Sequence, residues 1–127
     1  MRIKVSINSD HPVLLQTPGG KGAWGGHTFF VNQPIEECDA WIVYEGIYRE
    51  ESCLCPVGRT FLITGEPSEV ATYDYEWIRQ FDAVRSVQAG ISHSALKVGH
   101  TALPWHLGRS YDFLKSSEFP KKESDIS

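Results

Sequence analysis

The chain has 127 residues, of which 41% are hydrophobic and 22% charged, a balance that fits one globular domain with a core and excludes intrinsic disorder. Its net charge of −4 argues against a general nucleic-acid binder, which needs a basic face. No apolar run approaches membrane-spanning length, and the opening MRIKVSINSD reads as a strand and not as a signal peptide, so the expected location is cytoplasmic.

From the N-terminus, Ile3-Lys4-Val5-Ser6-Ile7 alternates apolar and polar, the period of a half-buried strand. Pro12 and Pro18 restrict Val13-Leu14-Leu15 to a single apolar turn. The glycine-rich run PGGKGAWGG (18–26) lacks the Ser or Thr after its lysine and the upstream glycine of a phosphate loop, so it reads as a mobile surface loop carrying Trp24. Thr28–Val31 is a short strand candidate. Trp41–Tyr44 and Phe61–Ile63 are apolar without alternation, as in strands covered on both faces. The residues between them suffice for the crossover that parallel pairing requires, and they read as loop or short helix.

Asp74 has the character of an N-cap, with Glu76 in the first turn and Trp77, Ile78 and Phe81 on one face of a helix over 74–81. Residues 83–87 follow as a strand. Residues 89–109 read as loop and Tyr111–Leu114 as a short helix. Strand, helix and strand recurring in this order predict an α/β layer fold with a mostly parallel, Rossmann-like sheet.

The three cysteines, Cys38, Cys53 and Cys55, make a poor disulfide framework and are expected as free, partly buried thiols. Without a Cys-x-x-Cys pair or histidines at ligand spacing, no metal site is expected. Cys38 has no basic neighbour that would make it a nucleophile. His93 and His100 receive no role.

Two stretches carry chemistry. In a parallel α/β sheet, ligands gather beyond the carboxyl ends of the strands, where Thr64-Gly65-Glu66-Pro67 falls. Pro67 keeps Glu66 out of the helical region, and Gly65 allows a sharp turn and a close approach. The sequence thus fixes a carboxylate at the rim of the sheet, placed either as a general base or as a solvated turn residue. LPWHLGR (103–109) brings an indole, an imidazole and a guanidinium together. Trp105 can stack on a sugar face while His106 and Arg109 bond hydroxyls or anions; the plainer alternative is a core tryptophan with locally satisfied neighbours.

With these residues in view, the chain resembles the N-terminal half of glycosyltransferase family 10, the α-1,3-fucosyltransferases. The matching stretches are DAWIVYEG (39–46), RTFLITGEPSEV (59–70), YEWIRQFDAVRSVQ (75–88) and LPWHLGR (103–109). They keep the family's order from about Trp24 onward. The resemblance implies a GT-B enzyme with two Rossmann-type domains across a cleft. The N-terminal one receives the acceptor glycan and the C-terminal one binds GDP-fucose. It further implies transfer with inversion, with Glu66 as general base. Trp24, Gly65, Trp105, His106 and Arg109 are the expected acceptor contacts. Residues 1–118 would then be the acceptor-side domain and 119–127 a polar tail leading to the donor domain, ESDIS resembling the approach to its first strand. On this reading the 127 residues alone are inactive and carry no cofactor of their own. The alternative is a free-standing, non-catalytic α/β binding or interaction module.

Overall fold

A computed structural model describes residues 1–101 and 108–118. It consists of a seven-stranded sheet with few helices. The strands are β1 (Arg2–Ile7), β2 (Ala23–Trp24), β3 (His27–Val31), β4 (Ala40–Tyr44), β5 (Thr60–Thr64), β6 (Ala83–Ser86) and β7 (Leu96–Val98). Their order across the sheet is β2-β3-β1-β4-β5-β6-β7, and every pairing is parallel except β2 with β3. The mostly parallel α/β sheet expected from the apolar runs is therefore present. No helix among the described residues is long and apolar enough to cross a membrane.

The main apolar cluster lies on one face. Val43, Leu62 and Val84 stand side by side on β4, β5 and β6, and Ile78 of α1 (Tyr75–Ile78) closes over them. Leu62 is completely buried, a burial that contributes roughly 2–3 kcal/mol. Trp77, Phe81, Tyr73 and Ile47 pack around this cluster. At the entry to β5 and β6, Asp82 accepts hydrogen bonds from the Thr60 amide and hydroxyl (2.9 and 2.6 Å), and these bonds hold its carboxyl below the usual range. They also pin the register of the two strands.

Four local expectations change. The alternation in β1 finds Ile7, which is buried, but misses the two deepest residues of the strand. Lys4 and Ser6 are almost wholly buried, whereas Ile3 and Val5 on the opposite face are half-buried. The reason is the β4–β5 crossover, which folds over Lys4 and Ser6 and brings its own carboxylate. Glu51 pairs with Lys4 Nζ at 2.7 Å and accepts from Ser6 Oγ at 2.9 Å. Trp41 Nε1 donates to Ser6 Oγ at 2.9 Å, and the Lys4 ammonium also lies 5.2 Å from the Trp41 ring centre.

The glycine-rich run is no loose loop. Pro18–Gly20 forms a 3-10 turn and Ala23–Trp24 pairs with β3, so the run is the arm of a hairpin. Gly22 is required there, because its φ of +66° is left-handed and a Cβ would meet the Phe29 carbonyl at 2.8 Å. The helix expected over 74–81 is one α-turn, Tyr75–Ile78, capped by Asp74 as expected, with Trp77 N donating to its carboxylate at 3.0 Å. Beyond Ile78 the bonding tightens to i→i−3, with Phe81 N donating to the Ile78 carbonyl, and Asp82 is drawn to β5. Finally, the stretch read as loop over 89–109 contains the edge strand β7, too short and polar to show a period.

The buried pair gives a direct stability test. Glu51→Ala leaves the Lys4 ammonium without its partner and is expected to destabilise the fold by about 3 kcal/mol in denaturant unfolding. Lys4→Met combined with Glu51→Leu should recover most of that loss. A Glu51→Ala effect under about 0.5 kcal/mol, the size of an ordinary surface change, would contradict the pairing.

Candidate functional site at the carboxyl edge of the sheet

The strand order fixes where a ligand site belongs. From β1 the chain goes to β3 on one side, then crosses to β4 on the other. The switch point of this sheet is therefore between β1 and β4, and the crevice outside the carboxyl ends there is the usual binding position in open parallel sheets. The residues leaving these two strands are Asn8 and Ser9 after β1 and Glu45 and Gly46 after β4, and Gly65 and Glu66 leave β5, the next strand over.

Glu45 organises this edge. Its backbone is in the left-handed region, φ +59°, where a side chain with a Cβ is uncommon. From there its carboxylate accepts a hydrogen bond from the Gly65 amide through one oxygen and from the Tyr73 hydroxyl through the other. On the far side of the same turn, Gln88 Nε2 donates to the Glu66 carbonyl at 2.8 Å and to the Ala71 carbonyl at 3.0 Å. Beneath, the buried hydroxyls of Thr64 and Ser86 join β5 to β6 at 2.7 Å, and Ser86 Oγ also accepts from the Gln88 amide. The Thr64-Gly65-Glu66 backbone is thus held before and after Glu66, while the Glu66 carboxylate itself has no ion pair or hydrogen bond among the described residues. It is half-buried.

Two phenols share this carboxylate-rich edge. Burial, followed by the charges of Glu45 and Glu66, pushes the Tyr44 phenol up to about 12. Tyr73 is also raised, by burial first and then by its bond to Glu45. The Tyr44 hydroxyl and the Ser9 hydroxyl are buried without a hydrogen-bond partner among the described residues. The group this edge offers to a hydroxyl-bearing ligand is therefore the half-buried Glu66 carboxylate, since Glu45 is engaged through both oxygens and the unpaired hydroxyls are buried. Among the described residues, no cation forms an ion pair with Glu45 or Glu66.

The sequence-predicted residues do not converge on one place. Gly65 and Glu66 are at this edge. Trp24 pairs with His27 at the start of β3, at the amino edge of the sheet, the length of a five-residue strand away, about 15 Å. It is 52% exposed, and its ring meets that of Tyr111 at 4.9 Å. Arg109 belongs with Trp24. Its carbonyl accepts from Gln16, its guanidinium lies 4.6 Å from the Phe113 ring, and helix α2 (Tyr111–Ser116) packs beside the glycine-rich turn. Trp105 and His106, with the tail 119–127, lie outside the described residues. Sequence reasoning missed Glu45, Tyr44, Tyr73 and Gln88. Glu45 had a signal, since it follows an apolar strand and precedes a glycine, mirroring Gly65-Glu66. Tyr73 and Gln88 reach the site through tertiary folding and had none.

The glycine-rich run is not a phosphate cradle in the structure either. A cradle needs free amides, yet Gly19, Gly20, Lys21 and Gly22 each donate to a protein acceptor: the Asp112 carboxylate, the Thr17 carbonyl, the Pro18 carbonyl and the Thr17 hydroxyl. Among the described residues, no group of three or more His, Cys, Asp or Glu side chains is disposed to hold a metal ion.

No family model, no curated protein and no solved structure matches the chain.

The Tyr44 environment predicts a pH dependence. The folded state keeps the Tyr44 proton up to about 12 while the unfolded chain releases it near 10.0, so this contribution to stability is complete below pH 10 and is lost as pH rises toward 12. Unfolding free energy is expected to fall over that window, and Tyr44→Phe should shallow the fall. An unchanged slope in the variant would contradict the burial of the phenol beside Glu45 and Glu66.

Proposed function

We propose that this domain binds the acceptor sugar of an inverting, fucosyltransferase-like glycosyltransferase and supplies its general base, Glu66. The observation that carries the reading is the clamped Glu66 turn. Its backbone is held by Glu45 and Gln88, and its carboxylate is left unpaired among the described residues, at the carboxyl edge of a parallel sheet. A sugar hydroxyl is a weak nucleophile until its proton is drawn away. A carboxylate held in hydrogen-bond reach takes that proton as the oxygen attacks the anomeric carbon and the nucleotide leaves from the opposite face. The GDP-fucose-like donor belongs to a second, GT-B-type domain, in keeping with the occupied amides of the glycine-rich run.

A second reading, a non-catalytic binding module, draws on Trp24. An exposed indole beside Tyr111, Arg109 and Phe113 at the amino edge is a binding surface of its own, remote from Glu66. The two separate by experiment. In a chain that carries its donor domain, Glu66→Gln is expected to lower glycosyl transfer by roughly 10²–10⁴ with donor affinity unchanged, because glutamine keeps the size and one oxygen but not the basicity. Near-normal turnover would remove Glu66 from the chemistry, and transfer undetectable with any nucleotide sugar would favour the module.

A further inference from the structure

At the amino edge of the sheet the three cysteines converge, although they are spread over 18 positions of sequence. The cause is a single parallel bridge, Glu37 opposite Leu54, made by Cys38 N donating to the Leu54 carbonyl and Leu54 N donating to the Glu36 carbonyl. Side chains alternate along extended backbone, so a bridge centred on Glu37 and Leu54 turns both of these outward and sets Cys38, Cys53 and Cys55 on the other side. Leu54 is accordingly 75% exposed while Cys38 is buried. Cys53 Sγ lies 3.4 Å from Cys38 Sγ. Cys55 also interacts with Cys38, but its thiol lies 3.5 Å from the Arg59 carbonyl, to which it donates. All three are free thiols.

We propose that Cys38 and Cys53 form a thiol–disulfide site, closed by a small-molecule disulfide oxidant, that staples the β4–β5 crossover to the entry of β4. The sulfurs face each other, and the movement needed is little more than a rotation of one thiol toward the usual bond length of about 2.05 Å. Cys53 is the more accessible of the two and reacts first. Its thiolate attacks one sulfur of the oxidant RSSR, the S–S bond breaks, and one RS⁻ leaves. Cys38, as thiolate, then attacks the Cys53 sulfur of this mixed disulfide and expels the second RS⁻. Two electrons pass to the oxidant, and the two thiol protons go to the two RS⁻, giving two RSH and one protein disulfide. Cys55 is left as the remaining thiol. Because burial, and then its contact with Cys38, raises the attacking Cys53 thiol to about 11, the site is slow to react at neutral pH and behaves as a staple more than as a rapid sensor.

The consequence for the fold is local and readable. The crossover begins at Glu45, carries Glu51 onto Lys4 and ends at β5. Bonding Cys53 to Cys38 closes a loop of 15 positions around that segment and limits its freedom in the unfolded chain.

The test uses the purified full chain equilibrated in buffers of oxidised and reduced glutathione, followed by alkylation, peptide mapping and thermal melting. The expected result is one intramolecular disulfide per chain, between Cys38 and Cys53, with Cys55 alkylated and a melting temperature several degrees higher. Cys55→Ser should oxidise in the same way, and Cys38→Ser should stop at the glutathione mixed disulfide on Cys53. Mixed disulfides alone in the unmodified chain, a principal bond from Cys38 to Cys55, or a melting temperature lowered by oxidation would each overturn the proposal.

Discussion

The Glu45 carboxylate is the contact on which the carboxyl edge depends. It joins three segments that are distant in sequence: the end of β4, the turn after β5, and Tyr73 before α1. One carboxylate accepting two hydrogen bonds while half-buried is strong, because bonds to a charged acceptor are about twice as strong as neutral ones. That strength is set against a left-handed backbone at Glu45, worth roughly 1–3 kcal/mol of strain. A strained residue persists only where its surroundings demand it. Here they demand that Gly65 be held by its amide, which fixes where Glu66 emerges. Gln88, two residues beyond β6, completes the clamp.

The same sheet shows how polar groups are carried into a buried face. Lys4, Ser6, Thr64 and Ser86 are almost wholly buried, and each has partners. Lys4 has Glu51, the Gln33 carbonyl and the Trp41 ring, and the two hydroxyls of Thr64 and Ser86 have each other. The Lys4–Trp41 and Thr64–Ser86 contacts cross between strands, so they specify register as well as satisfying polarity. The apolar core is correspondingly small, centred on Val43, Leu62, Ile78 and Val84. The fold therefore relies on cross-strand pairing and on crossovers that bring their own partners, as the Glu51 segment does.

How much of this was legible in the sequence follows from which forces are local. The strands at 40–44 and 60–64 were legible because continuous apolar runs are their own signal. The Asp74 cap was legible because capping chemistry spans three residues. The depth of Lys4 was not, since it depends on a carboxylate 47 positions away. Nor was β7, whose three residues carry no periodicity and whose existence depends on β6 being there to pair with. At the candidate site, Glu66 was legible from Gly65 and Pro67 beside it. Its support by Glu45, Tyr73 and Gln88 was not, because those contacts form only once the parallel register is set. The separation of Trp24 from Glu66 is likewise a fact of topology: β2 runs back along β3 and leaves Trp24 at the opposite edge.

The central claim is that the carboxyl edge around Glu66, and not the amino edge around Trp24, receives a sugar. It is tested most directly by amide chemical-shift mapping of the isotopically labelled chain during titration with neutral acceptor oligosaccharides. The account predicts saturable shifts at Gly46, Gly65 and Glu66, with Glu45→Gln weakening them. Shifts confined to Trp24, Tyr111 and their neighbours, or no saturable shift with any glycan tested, would contradict it.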